Sequence, residues 1–208
     1  MSRLHTAEPD FPIVCVGGAS ADVEAYVGLL RHLRADLDVA VVIVNHLSPV
    51  DDLLLEALPG CTSMPVLLIT DRMPVRPNCV YIGHQERDLH VLNGEFRLRP
   101  ISKPTGWPNV ITVFLESLTR NWAGKLIAVI YSGYDGDGTA ALRGIKEVGG
   151  VTIARRVETA GQPDMPLTAI ASGYIDYILT AEQIALEIER VALEVRAGRR
   201  AHKRQSAG

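Results

Sequence analysis

The sequence predicts an α/β fold with a doubly wound, mainly parallel sheet and one inserted antiparallel hairpin. Apolar runs without polar alternation recur along the chain, which is typical of strands buried on both faces of a sheet. Stretches with helical spacing separate these runs, so the chain consists of repeated strand–helix–strand units. Asn93-Gly94 stands between two alternating runs, and this dipeptide is the strongest short signal for a hairpin.

The first half of the chain contains four predicted strands, two predicted helices and the hairpin. The strands are the apolar runs at 11–16, 39–44, 65–70 and 79–83. Residues 22–34 carry apolar side chains at helical spacing, and residues 51–58 form a shorter helix of the same kind. The hairpin occupies 88–100.

The second half continues the alternation of helices and strands. Its predicted helices lie at about 109–122, 139–148 and 181–197, with a short one after Met165-Pro166. Its predicted strands lie at 125–133, 151–156 and 174–179. The helix at 139–148 ends before Gly149-Gly150, which suits a glycine stop. We therefore expect one domain over residues 11–195 and a basic tail over 196–208 that is disordered, because chain ends are rarely held down.

Composition and charge restrict the class of protein. A chain of 208 residues with 47% apolar content can bury a substantial core in one domain. The net charge of -3 argues against nucleic acid as the main partner. No apolar run approaches the roughly 18 residues of a membrane span, and the N-terminus has no signal-peptide core. Cys15, Cys61 and Cys79 lack metal-binding spacing and indicate reduced thiols. We expect a cytoplasmic protein without membrane insertion.

Polar residues follow three of the predicted strands, at the point where each strand ends. Ser20 follows the first strand, His46 follows the second, and Asp137 lies in the glycine-rich stretch after the strand at 125–133. In open α/β sheets the functional site lies beyond the carboxyl ends of the strands. A serine nucleophile needs a base, and the base needs a carboxylate that orients it. The three residues are therefore predicted to share one cleft.

Each of these residues also has a structural alternative. Ser20 could cap the helix that begins near Asp22, and Asp137 could cap the helix that follows it. His46 could be a structural histidine that bonds a backbone carbonyl. The loop that contains Ser20 lacks the glycine spacing of a dinucleotide site, and Asp22 and Glu24 would oppose an anion at the helix N-terminus.

Four ordered segments carry a family resemblance. They are "CVGGASADVEA" at 15–25, "VNHLSP" at 44–49, "PVRPNCVYIGHQERDL" at 74–89 and "SGYDGDGTAALRGIKEVGGVTIAR" at 132–155. Their counterparts in one family read "IGAS-[TA]-GG-x-EA", "V-Q-H-[ML]-x-P", "PVRPGxVYIAPxxRDL" and "TGMGxDGAxGLxxIKxAGGxTIAQ". From about Ile13 to Leu193 the chain therefore resembles the CheB-type protein-glutamate methylesterase domain of bacterial chemotaxis.

The resemblance implies a function and a set of site residues. The family hydrolyses glutamate γ-methyl esters on the cytoplasmic helices of chemoreceptors and also deamidates glutamines there. It uses a serine, histidine and aspartate triad without a cofactor, and His46 and Asp137 fall on the last two of these residues. The implied partner is a methylated chemoreceptor helix or another helical protein. Family members commonly carry an N-terminal phospho-receiver domain, and a chain whose first strand begins at residue 11 is expected to lack it.

The chain departs from the family pattern at the nucleophile. Without a gap, Gly18 takes the family's alanine position, Ala19 takes the serine position and Ser20 follows it. A gap of one residue would keep Ser20 as the nucleophile but would shorten the loop before Val23. Two interpretations follow: a methylesterase that uses Ser20, His46 and Asp137, or a catalytically impaired protein that binds a protein partner through the same cleft.

Overall fold

The computed structural model of the chain describes residues 10–19, 23–45, 50–84, 86–103, 105, 108–133, 136–156 and 165–205. The strands are β1 (Ile13–Ala19), β2 (Ala40–Asn45), β3 (Val66–Leu68), β4 (Cys79–Ile82), β5 (Arg87–Leu92), β6 (Glu95–Pro100), β7 (Leu126–Gly133), β8 (Val151–Arg155) and β9 (Tyr177–Leu179). The helices are α1 (Val23–His32), α2 (Val50–Ala57), α3 (Val110–Asn121), α4 (Leu142–Glu147), α5 (Met165–Ala171) and α6 (Ala181–Gln205). Short 3₁₀ turns occupy Leu58–Gly60 and Thr139–Ala141.

Seven strands form a parallel sheet in the order β3-β4-β2-β1-β7-β8-β9, and β5 and β6 form a separate antiparallel hairpin. From β1 the chain runs to β2 and to the edge strand β3, and β4 then fills the place between β3 and β2. From β7 it runs outward through β8 to β9 on the other side of β1. The strand order therefore reverses between β1 and β7, which is where open α/β sheets form their crevice. The predicted fold class is confirmed.

The two faces of the sheet are both covered, which explains why its strands lack polar alternation. The α3 face, packed against α3, carries Ile13, Cys15, Val42 and Val44. The α1 face, packed against α1 and α6, carries Val14, Val16, Val41 and Ile43. Side chains alternate between the two faces along β1 and β2, as the pleat of a strand requires.

The hairpin forms where Asn93-Gly94 predicted it. Asn93 and Gly94 have φ angles of 53° and 74°, the left-handed values that a tight two-residue hairpin turn needs. Its buried side chains Leu89, Val91 and Phe96 join the core on the α3 face. The hydroxyl of Ser117 in α3 accepts a hydrogen bond from the backbone N–H of Val91 at 2.9 Å. The hairpin thus holds α3 against the sheet.

The predicted boundary of the tail is wrong, because α6 continues through Gln205. Residues 196–205, expected to be disordered, are its last turns. Two arginines on this extension reach the body of the domain. Arg196 donates to the Asp38 carboxylate at 2.9 Å, and Arg199 forms an ion pair with Asp10 at 3.1 Å. The apolar periodicity stops before these turns, so sequence pattern alone did not predict them. Residues 206–208 lie outside the described residues.

Asp176, just before β9, makes the stability of this fold depend on pH. Its carboxylate accepts hydrogen bonds from the backbone N–H and hydroxyl of Thr152 at 3.0 and 2.9 Å, and it pairs with Lys146. Burial acts to raise the pKa of Asp176, but the bonds from Lys146 and Thr152 together lower it below its usual value. A lowered folded-state pKa stabilises the protein above the unfolded-state value of about 3.9, and this contribution is lost as pH falls through the folded-state pKa.

We therefore predict that the free energy of unfolding falls less steeply with acid in Asp176→Asn than in the parent, while Asp176→Asn is less stable at neutral pH. Urea titrations between about pH 6 and pH 3 measure this difference. Lys146→Met removes the ammonium partner and should give an intermediate slope. Equal slopes for all three proteins would contradict the assignment.

Candidate active site

Three adjacent strands, β2, β1 and β7, end at the same edge of the sheet. Gly18 of β1 lies opposite Asn45 of β2 on one side and opposite Ser132 of β7 on the other. The segments that contain residues 20 and 46 therefore leave from neighbouring strand ends. Ser20 and His46 themselves lie outside the described residues, and Asp137 lies within them.

Asp137 follows β7, and its side chain binds the N-terminus of α3. It is 7% exposed. One carboxylate oxygen accepts the backbone N–H of Ile111 at 2.8 Å. The other accepts the backbone N–H of Thr112 at 2.9 Å, the Thr112 hydroxyl at 2.7 Å and the N–H of Gly138 at 2.7 Å. These donors include N–H groups that a helix N-terminus cannot satisfy internally, and the helix dipole favours a negative charge there.

This arrangement corrects the structural alternative for Asp137. The sequence suggested that Asp137 caps the helix that follows it, but Gly138 is the residue that precedes the next turn, with φ of 85° and no side-chain cap. Asp137 instead caps α3, which lies earlier in the chain. Asn109, at the N-cap position of α3, makes no side-chain cap bond, so Asp137 takes over its usual task. No local sequence signal links Asp137 to α3.

Ile111 fills the space between the end of β1 and the Asp137 loop. A Cβ atom added to Gly17 would lie 2.7 Å from Cγ2 of Ile111, and one added to Gly138 would lie 2.8 Å from the same atom. Real side chains do not make such close contacts. Both glycines therefore allow the first turn of α3 to approach the crevice closely enough for its N–H groups to reach Asp137.

Cys15 lies on the α3 face of the sheet, and its surroundings exclude it as a nucleophile. Its side chain is 1% exposed. Burial raises the pKa of the Cys15 thiol, and the negative charge of Asp137 raises it further. The thiol therefore stays protonated, whereas a cysteine nucleophile must ionise.

A second polar group of side chains lies on the α1 face of the same strand ends. The amide of Asn45 donates to the hydroxyl of Tyr26 at 3.1 Å. The ring of Tyr26 packs 5.5 Å from the ring of Tyr131, and the guanidinium of Arg155 lies 5.0 Å above the Tyr131 ring. The sequence pattern placed Tyr26 only among the core positions of a helix, because its spacing is helical and gives no sign of a polar partner.

Two further observations concern metal ions and membrane spans. Within the part of the chain that the structure describes, no group of three or more His, Cys, Asp or Glu side chains is placed to hold a metal ion. Among the described helices, none combines the length and apolar character that crossing a membrane requires.

Comparisons with known proteins agree with this architecture. The family described as CheB methylesterase matches residues 14–188. A protein-glutamate methylesterase/protein-glutamine glutaminase from Rhizobium meliloti is 29% identical over 195 residues, which are 90% of this chain and 53% of that protein. One from Burkholderia lata is 30% identical over 181 residues, 85% of this chain and 52% of that protein. The chain thus spans about half the length of the curated relatives it matches.

A solved structure shares the fold. The CheB methylesterase catalytic domain from Thermotoga maritima superimposes with a TM-score of 0.78 at 28% sequence identity. The match covers 88% of this chain and 100% of that chain. The similarity therefore extends over the sheet, the hairpin and the helices that surround the crevice.

The hydroxyl of Thr112 should contribute to stability through Asp137. It donates to the carboxylate at 2.7 Å and accepts the N–H of Gly138 at 2.8 Å. Thr112→Val therefore removes one donor from the carboxylate and leaves the Gly138 N–H with Asp137 as its acceptor. We predict a loss of about 2 kcal/mol in the free energy of unfolding, because hydrogen bonds to charged groups contribute about 1.5–3 kcal/mol. Urea denaturation measures it.

The matched control is Thr119→Val on the same helix, where the hydroxyl bonds only the carbonyl of Glu116 within α3 at 2.8 Å. This change should cost less than about 0.5 kcal/mol. Thr112→Ser keeps the hydroxyl and should recover most of the loss. Equal costs for Thr112→Val and Thr119→Val would contradict the role assigned to Thr112.

Proposed function

The chain belongs to the CheB methylesterase family, and from that premise we propose that it hydrolyses glutamate γ-methyl esters on chemoreceptor helices. Ser20 acts as the nucleophile, His46 as the general base, and Asp137 orients His46. Deamidation of glutamine side chains is the second activity of the same site. The names of the relatives support an ester hydrolase with a protein substrate.

The position of Asp137 is the observation that carries this proposal. The carboxylate lies where the strand order reverses, beside the strand ends that lead into residues 20 and 46. Four donors from α3 and from Gly138 fix its orientation. A carboxylate fixed in this way can hold one tautomer of an imidazole and stabilise the imidazolium that forms during catalysis.

The reaction follows from these roles. His46 removes the Ser20 proton while the serine oxygen attacks the ester carbonyl, and the C=O electron pair moves onto the oxyanion. Backbone N–H groups of the loop after β1 stabilise that oxyanion. Collapse of the intermediate expels methanol, which takes its proton from His46. Water, activated by His46, then attacks the acyl-serine and releases the glutamate carboxylate and Ser20.

The alternation of the strands favours a second candidate function. Cys15 and Val44 face α3, on the side of Asp137, whereas Gly18 and Asn45 face Tyr26 on the α1 side. If this period of two continued past the described strand ends, positions 19 and 46 would face the side of Asp137 and position 20 the opposite side. Position 19 is alanine. A chain that keeps this alternation is a catalytically impaired protein that binds a protein partner through the same cleft.

Moving the hydroxyl between positions 19 and 20 tests the two candidates. If Ser20 is the nucleophile, Ser20→Ala lowers methanol release from methylated receptor by at least about 1,000-fold. If position 19 faces His46, the parent is inactive and the double variant Ser20→Ala, Ala19→Ser gains activity. Ser63→Ala, a change in an exposed loop serine, is the control. Activity that survives Ser20→Ala would overturn the nucleophile assignment.

The contact between Asp137 and His46 has a readout of its own. Asp137→Asn removes a negative charge that favours the imidazolium, so the pKa of His46 should fall in an NMR titration. Thr112→Val disturbs the same cap of α3 without removing the charge and should leave that pKa in place. A His46 titration that is identical in the parent and Asp137→Asn would show that the two side chains do not meet.

A further inference from the structure

We infer that Tyr26 is a positioning residue, whose hydroxyl holds together the ends of β1 and β2 from which the segments with residues 20 and 46 depart. The effect of Tyr26 on catalysis rests on the proposed function. Its physical basis is a contact with each strand: close packing against Gly18 and a hydrogen bond with Asn45.

The contact of Tyr26 with β1 is close packing of its hydroxyl against Gly18. An ideal Cβ atom on Gly18 would lie 2.0 Å from the hydroxyl oxygen of Tyr26 and 3.2 Å from Cζ of its ring. The hydroxyl therefore occupies the volume that any side chain at position 18 would need. Gly18 is required here because of the hydroxyl, since its φ is not among the left-handed values in the chain.

The contact with β2 is a buried hydrogen bond. Asn45 is 7% exposed, and its amide nitrogen donates to the Tyr26 hydroxyl at 3.1 Å. Asn45 is the last residue of β2 and lies directly opposite Gly18 in the parallel ladder. One hydroxyl thus contacts both strands at the same level of the sheet, one residue before His46 and two before Ser20.

The tyrosine cannot easily move away from this position. Tyr26 is 0% exposed, and its ring packs against the ring of Tyr131 at 5.5 Å between centroids. Close-packed interiors resist displacement of a large side chain. The glycine and the tyrosine hydroxyl therefore form a coupled pair in this chain.

The pair matters to catalysis because a misplacement of about 1 Å can cost about 100-fold in rate. In the proposed mechanism Tyr26 has no chemical step of its own. It acts through the two strand ends, by fixing how far apart the nucleophile segment and the histidine segment begin. Loss of the hydroxyl should therefore lower kcat more than it raises KM.

A double-mutant cycle tests the packing without any assay of activity. Gly18→Ala alone should lower the folding equilibrium constant by about 10- to 100-fold, as overpacking does. In the Tyr26→Phe background the same change should lower it less than about fivefold, because Cζ of the ring at 3.2 Å and Oγ of Ser132 at 3.0 Å need to move by only a few tenths of an ångström. Equal costs in both backgrounds would overturn the inference, since the hydroxyl would then not be what excludes a side chain at position 18.

Tyr131→Phe is the matched control for function. The Tyr131 hydroxyl is also buried and donates to the carbonyl of Ala25 in α1 at 2.7 Å, so its loss is chemically similar but leaves the bond between Asn45 and Tyr26 in place. Tyr26→Phe should lower kcat for methanol release by about 10- to 100-fold with KM within about twofold, whereas Tyr131→Phe should leave kcat within about twofold.

The His46 imidazole resonances provide a readout that does not depend on the proposed function. They should shift in Tyr26→Phe and stay unchanged in Tyr131→Phe, whether or not the parent hydrolyses esters. If the parent is inactive but the resonances shift as expected and the cycle shows coupling, the proposed function fails and the positioning role stands. Identical spectra and kinetics for the two phenylalanine variants would overturn the positioning role.

Discussion

A buried negative charge needs donors, and this requirement organises the crevice. Asp137 is almost fully buried, so its carboxylate must be compensated within the fold. The first turn of α3 supplies N–H groups that would otherwise lack partners. These hydrogen bonds fix the position and direction of α3 relative to the sheet. The helix in turn holds the hairpin, because the Ser117 hydroxyl accepts a hydrogen bond from the Val91 N–H. A Cβ atom at position 17 or position 138 would collide with the side chain of Ile111, and both positions are glycine.

At this edge of the sheet the two faces of β1 lie against different polar groups. The α3 face presents a carboxylate and its N–H donors, an arrangement that is charged and rigid. The α1 face presents the neutral hydroxyl of Tyr26, held by Asn45 and packed against Gly18. A shift of one residue between these faces changes which chemistry a side chain meets. Along a strand that keeps its alternation, neighbouring positions face these two environments in turn.

What could be predicted from the sequence depended on the range of the signal. The hairpin was predicted correctly, because the conformation at Asn93-Gly94 is determined within two residues. The parallel direction of the strands was predicted from their apolar runs and from the helices between them. The end of α6 was not predicted, since it depends on Arg196 reaching Asp38 across the domain. The cap formed by Asp137 and the contact of Tyr26 with Gly18 also join distant residues, which no periodicity reveals. The assignments of Ser20 and His46 remain predictions.

Asp137 serves the fold whether or not it serves a reaction. A chain that no longer hydrolysed esters would still need a carboxylate there, because α3 would lose its cap and Cys15, Ile111 and Gly138 are packed around it. The presence of Asp137 is therefore expected under both proposed functions. The two candidate functions differ in whether the nucleophile belongs at position 20, which is serine, or at position 19, which is alanine. The side chains at those two positions therefore separate the two candidate functions, an enzyme and a protein that binds a partner through the same cleft.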